Sequence, residues 1–180
     1  ANNEVKIPII SVVANPLIGP DPKVYNTIPV NSVVTLASII EGEAVHDQER
    51  SVISAVYQNR LKKNMKLQAD PTIQYIIDDN PRRLLNKDLR IKSPYNTYMY
   101  KGLPPGPINS PGRNSLLAAL YPEKNDFIFF VARGDGYHTF TTNERDHNLA
   151  KRNLQKLRKK IHKVYGQHQT FWTLWQLIYL

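Results

Sequence analysis

The sequence predicts an α+β fold that is mainly helical, with one β-hairpin and one long loop rich in Pro, Gly and Tyr. Apolar residues recur at spacings of three and four in several segments. Two short β-rich runs flank Gly134-Asp135-Gly136, and strands do not alternate with helices as a parallel sheet requires. The 180 residues, 41% hydrophobic and 22% charged, suit a single core.

Residues 1–30 hold Pro8, Pro16, Pro20, Pro22 and Pro29 with β-branched residues between them, and read as extended chain. A helix follows from Asn31 or Ser32, either of which can cap it, with Val33, Leu36, Ala37, Ile40 and Ala44 on its apolar stripe. A second helix is expected over 47–63, turning Val52, Ile53, Val56 and Leu61 inward. A short third starts at Asp70-Pro71, where Asp caps and Pro takes the first helical position, and Asp78-Asp79 reads as a helix end. The loop covers 82–111 and includes Tyr95-Asn96-Thr97-Tyr98; a long loop that keeps specific polar groups is a place for function. Ser110-Pro111 opens a helix through Leu116, Leu117 and Leu120 that Pro122 ends. The hairpin pairs 127–131 with 137–141, and a last helix begins near Thr142 or Asn143.

Net charge is +9, and the seven cations between Lys151 and Lys163, with no acid among them, leave only +2 for the rest of the chain. This basic helix is open to two readings, a solvated face or a contact for an anionic polymer such as nucleic acid, anionic lipid or cell-wall glycan. Apolar runs are short: Pro8 and Ser11 break the first, and the last, from Phe171, has ten residues against the ~20 that a membrane span needs. The chain opens on Ala1 with no targeting pattern before it, which leaves two readings open: a targeting or anchor region was removed, as from a piece of a longer protein, or there was none. Zero cysteines exclude disulfides and thiolate zinc sites. No phosphate loop, dinucleotide fingerprint, nucleophile elbow or His-Glu-x-x-His pair is present, and the five histidines include no pair at metal-ligand spacing, so neither cofactor nor metal is expected.

Carboxylates remain. In Leu36-Ala37-Ser38-Ile39-Ile40-Glu41-Gly42-Glu43 the two glutamates lie roughly 200° apart at about 100° per residue, so they flank the stripe and cannot both enter one cleft if the helix runs through Gly42. Either could be half-buried, where desolvation raises its pKa and prepares a proton donor, or could sit at the edge with its head in water. Tyr95, Tyr98 and Tyr100, with Asn96 and Thr97, suit the faces and hydroxyl edges of sugar rings; a strand with core tyrosines is the plainer alternative. His138 shares a hairpin face with Phe140 and also fits a half-buried structural role. Gln68 and Asp70 precede the third helix, where capping by Asp70 suffices.

Seven segments in order carry a resemblance: Leu36-Ala37-Ser38-Ile39-Ile40-Glu41, Asn59-Arg60-Leu61, Leu67-Gln68-Ala69-Asp70-Pro71-Thr72, Tyr95-Asn96-Thr97-Tyr98, Gly102-Leu103-Pro104-Pro105-Gly106-Pro107-Ile108, Pro111-Gly112 and His138-Thr139-Phe140. Together they resemble the YceG-like endolytic murein transglycosylases over about residues 31–155. The resemblance implies a bacterial enzyme on the extracytoplasmic face of the inner membrane that cuts nascent peptidoglycan between N-acetylmuramic acid and N-acetylglucosamine, leaving a 1,6-anhydro end. It implies Glu41 as the catalytic residue, with Gln68, Tyr95, Asn96, Thr97, Tyr98 and His138 on the substrate and no metal or cofactor. Glycan strands and cell-wall synthesis proteins are the implied partners; no nucleic acid is expected, and membrane contact comes only through an anchor missing from this chain. The domains so implied are 1–30, an extended connector or remnant of a LysM-like subdomain; 31–161, the catalytic domain; and 162–180, an unassigned tail. Ser110 stands where many members carry Asn. Two alternatives stay open: a hydrolase with Glu43, Glu49 or Asp70 facing Glu41, and a module that binds an anionic polymer without cleaving it.

Overall fold

The computed structural model describes residues 29–78 and 82–165. It is mainly helical with one antiparallel hairpin: α1 (Val30–Glu43), a 3-10 turn (Asp47–Glu49), α2 (Arg50–Lys62), α3 (Asp70–Ile76), a second 3-10 turn (Asp88–Arg90), α4 (Arg113–Leu120), β1 (Phe129–Ala132), β2 (His138–Thr141) and α5 (Glu144–Tyr165). The expected extended segment falls almost wholly outside the described residues, as do most of the 162–180 tail and Asp79 of the acidic pair. Among the described residues no helix is long and apolar enough to cross a membrane.

Helix α1 is central. Residues Leu36, Ala37, Ile39 and Ile40 are buried along it, α2, α3 and α4 pack around it, and Ile53 and Tyr57 of α2, Ala118 of α4 and Leu67 from the connection before α3 share its core. The helix opens two or three residues earlier than Asn31 or Ser32 would have it: Pro29 is the cap, and its carbonyl accepts from the N–H groups of Ser32 and Val33. Asn31 instead donates to the Pro105 carbonyl at 3.5 Å. The expected 47–63 helix divides into the first 3-10 turn and α2, and its buried face includes Tyr57 and Arg60 in place of the partly exposed Val52 and Leu61.

Asp70 does not cap α3. Ala69 precedes the helix, its carbonyl accepting from the Thr72 hydroxyl at 2.7 Å, while the Asp70 carboxylate accepts from the Tyr98 hydroxyl. Helix α4 starts at Arg113, after the Ser110-Pro111 expected to open it, because Gly112 holds the extended conformation of a cap residue.

The hairpin pairs Phe129 with Thr141 and Ala132 with His138. Gly134 and Gly136 have φ of +94° and +85°, the left-handed region that favours glycine. A side chain at Gly136 would also come within 2.8 Å of His46, whose ring stacks on Tyr137 at 3.9 Å. Arg60 and Asn59 stitch the chain entering the hairpin to α2: Arg60 donates to the carbonyls of Ile128 and Leu67, both at 2.6 Å, and Asn59 to those of Asn125 and Phe127 at 2.9 and 3.0 Å. A buried guanidinium shared between backbone carbonyls in this way fixes two segments at once.

Candidate active site

Glu41 leaves the last turn of α1 toward the start of α4. Three donors meet on its Oε2: the Ser115 hydroxyl at 2.7 Å, the Gly112 N–H at 3.1 Å and Arg50 Nη1 at 3.3 Å. Among the described residues no donor reaches Oε1, and 32% of the side chain is exposed. One oxygen is therefore anchored and the other is presented to a visitor. Gly112 has no side chain with which to cap α4, so the carboxylate of Glu41 meets that helix end, where free N–H groups and the helix dipole favour negative charge.

Arg50 is itself held in place. It donates to Ser115 Oγ at 2.6 Å and to Asp47 Oδ1 at 2.7 Å, and Asp47 Oδ2 accepts from Asn114 at 2.7 Å. Hydrogen bonds from Arg50 and then Asn114 hold the Asp47 carboxyl below its usual range. The loop before α4 lies on α1: the Ile108 N–H donates to Ser38 Oγ at 3.0 Å, and Asn109 donates to the Ser38 carbonyl at 2.8 Å.

Glu43 goes the other way, as the helical spacing predicts. Its Oε2 accepts from the Tyr57 hydroxyl at 3.1 Å on α2. Burial, followed by repulsion from Asp70, pushes its pKa up to about 8, against the opposing pull of Tyr57 and Arg60. The half-buried glutamate with a raised pKa is thus Glu43. Asp70 is also raised by burial, in spite of its bond from Tyr98. Between the two glutamates, Gly42 allows the first turn of α3 to touch α1: a Cβ there would lie 2.7 Å from Pro71 Cβ.

The other expected site residues divide into three groups. Asn96 and Thr97 are buried, with Asn96 bonded within its own loop and Thr97 bonded to the start of α3. The Asn96 amide donates to the carbonyls of Leu89 and Ile91 at 3.2 and 2.8 Å and accepts from the N–H groups of Tyr98 and Met99 at 2.9 and 3.3 Å. Thr97 Oγ1 accepts from the Ala69 N–H at 3.0 Å and bonds Thr72 Oγ1 at 2.9 Å. Gln68 and Tyr98 lie at the start of α3 and Tyr95 near its end. Gln68 is exposed with φ of +48°, an uncommon conformation for a non-glycine residue, fixed by its N–H bond to the Thr97 carbonyl at 3.1 Å. Tyr95 packs on Tyr75 at 4.8 Å. His138 is elsewhere: Glu49 accepts from its backbone N–H at 2.9 Å and pairs with Nδ1 at 2.8 Å, clamping the hairpin to the entry of α2. Among the described residues no hydrogen bond joins Glu41 to any member of these groups.

Sequence reading missed Arg50, Ser115, Asp47 and Asn114. Ser115 and Gly112 lie 74 and 71 positions from Glu41, and only Pro111-Gly112 stood in a quoted motif.

Residues 21–153 match the YceG-like family. The chain is 47% identical over 126 residues to an endolytic murein transglycosylase of Bacillus subtilis (strain 168), covering 70% of this chain and 35% of that protein. It is 32% identical over 136 residues to the endolytic murein transglycosylase of Streptococcus pneumoniae serotype 2, covering 71% of this chain and 25% of that one. The crystal structure of a YceG-like protein from Listeria monocytogenes superposes with a TM-score of 0.64 at 43% identity, over 68% of this chain and 39% of that chain. The chain thus spans about a third or less of the curated relatives that it matches.

Proposed function

Because the chain belongs to the YceG-like family, we propose that it holds the cleavage site of an endolytic peptidoglycan transglycosylase, with Glu41 as the catalytic group. The substrate is a glycan strand cut between N-acetylmuramic acid and N-acetylglucosamine on the extracytoplasmic side of a bacterial membrane, and the product carries a 1,6-anhydro end. The observation that carries this reading is the anchoring of Glu41: among the described residues, three donors on one oxygen and none on the other.

In this reading Glu41 Oε1 gives its proton to the bridging oxygen, the bond from that oxygen to C1 breaks, and positive charge spreads over the sugar ring. The donors on Oε2 stabilise the carboxylate that remains. That carboxylate then takes the proton of the C6 hydroxyl as its oxygen closes on C1, so no water is consumed and one carboxyl serves as acid and then as base. The candidates for a second, hydrolytic carboxylate are committed elsewhere: Glu43 to Tyr57, Asp70 to Tyr98 and Glu49 to His138. This favours the single-carboxylate route over hydrolysis.

Asn96 and Thr97 serve by shaping the loop from within, while Gln68, Tyr95 and Tyr98 remain candidates for sugar contact around α3. The experiment is mass analysis of the products of purified peptidoglycan, with parent and Glu41→Gln chains. Products lighter than the hydrolytic ones by one water, and none from Glu41→Gln, are expected. Hydrolytic masses, or full activity in Glu41→Gln, overturn the reading.

A further inference from the structure

The loop before α4 forms an open cavity of about 470 Å³ that Glu41 does not line. Its walls include Pro94, Leu103 and Pro105, with Tyr100 at one side, 49% exposed. Lys92 and Lys101 also line it; both are exposed, and no acid is among the lining residues. Among the described residues neither ammonium is in an ion pair. The wall behind them is rigid because the buried Asn96 ties four backbone groups together. The cavity is thus preformed, apolar within and cationic at its rim, which suits a short chain with carboxylates and apolar side groups.

Its position links it to Glu41. The loop leaves the cavity and runs alongside α1, meeting Asn31 at Pro105, Ser38 at Ile108 and Glu41 at Gly112. From Asn31 to Glu41 is about 15 Å at ~1.5 Å per helical residue. A strand lying along this path with one glycosidic bond at Glu41 brings a side branch within reach of the cavity. We propose that the cavity is a subsite for the carboxylate-bearing peptide branches of peptidoglycan, held at Lys92 and Lys101, an assignment that rests on Glu41 as the cleaving group. Uncharged sugar offers the two ammonium groups hydrogen-bond acceptors but no countercharge, whereas a peptide offers carboxylates to the rim and aliphatic groups to Leu103 and the prolines.

The test uses the 180-residue chain carrying Glu41→Gln, so that strands bind uncut. Two probes are compared by equilibrium binding: strands with free peptide carboxylates, and the same strands with those carboxylates converted to amides. The acid strand is expected to bind roughly five- to tenfold tighter, the scale of two partly screened ion pairs. Lys92→Gln with Lys101→Gln should close that gap while leaving the amide strand's affinity unchanged, and Lys92→Arg with Lys101→Arg should keep it. Cleavage by the parent chain without a gap, or a gap that survives the double glutamine variant, overturns the subsite alone. No binding of either strand and no cleavage overturns the subsite together with the reading of Glu41.

Discussion

Glu43→Gln should stabilise the chain, and increasingly so as pH rises. Glu43 is the last residue of α1, partly exposed, with its carboxyl set between Tyr57 and the repelling charge of Asp70. Its pKa moves from 4.5 to about 8 in the folded chain. Between those two values the unfolded chain releases the proton and the folded chain keeps it. The folded state then binds more protons, so stability falls with rising pH across that window and the full penalty is present above pH 8. At about 1.4 kcal/mol per pH unit, the loss approaches roughly 3 to 5 kcal/mol. Glutamine cannot ionise, and its carbonyl oxygen can still accept from Tyr57. Melting curves of parent and variant should nearly coincide near pH 4.5, and by pH 8 the variant should melt higher by about 5 to 10 °C, at a few degrees per kcal/mol. Cleavage should persist, because Glu43 faces away from the anchored carboxyl of Glu41. A variant that keeps the parent's pH dependence, or melts lower at pH 8, refutes the burial argument; a variant that folds but no longer cleaves moves the acid from Glu41 to Glu43.

Removing the donors to Glu41, by Ser115→Ala or Arg50→Gln, should lower kcat roughly tenfold or more with little change in KM, since those donors act on charge formed during the reaction; a loss confined to KM contradicts this. Asn96→Ala should destabilise by roughly 2 to 4 kcal/mol, because it leaves the carbonyls of Leu89 and Ile91 unpaired in a buried loop. Its cleavage loss should follow the unfolded fraction seen by circular dichroism, and a normal melting curve with slow turnover would instead put the amide on the sugar. Neutralising Lys156, Lys159 and Lys160, all exposed on α5, should flatten the salt dependence of strand association below ~0.3 M while cleavage of a short uncharged glycan stays constant; tight, salt-sensitive DNA binding with no such glycan effect would favour a nucleic-acid module.

Apolar spacing, helix-start residues and turn signals located the five helices and the hairpin of the described residues; the stripes of α1, α2 and α4 do face one core, while α5 packs on the hairpin. Helical spacing also placed Glu41 and Glu43 on opposite sides of α1, a fact of local geometry. Which of the two is desolvated was not legible, since that depends on Tyr57 and Asp70 from other elements. Caps failed for the same reason: Asn31 and Asp70 both have the right side chains, but Pro105 and Tyr98 offer them better partners from the loop. The direction of Asn96 was equally hidden. Its composition suits sugar, yet four backbone groups nearby consume its bonding capacity.

Helix α4 has eight residues, too few to persist alone in water, where isolated helices shorter than roughly 12 to 15 residues are marginal. Its cap residue Gly112 and its first-turn Ser115 both donate to the carboxyl of Glu41, 71 and 74 positions earlier. Local opening of α4 therefore releases Glu41, and loss of the Glu41 contact frees the helix end, so the two share one equilibrium. Native-state hydrogen exchange should find the first-turn amides of α4 opening at lower free energy than the α1 core. On heating, if Glu41 cleaves as proposed, activity should then fade before the global transition, with the Glu41 carboxyl released by fraying while most of the fold is still in place.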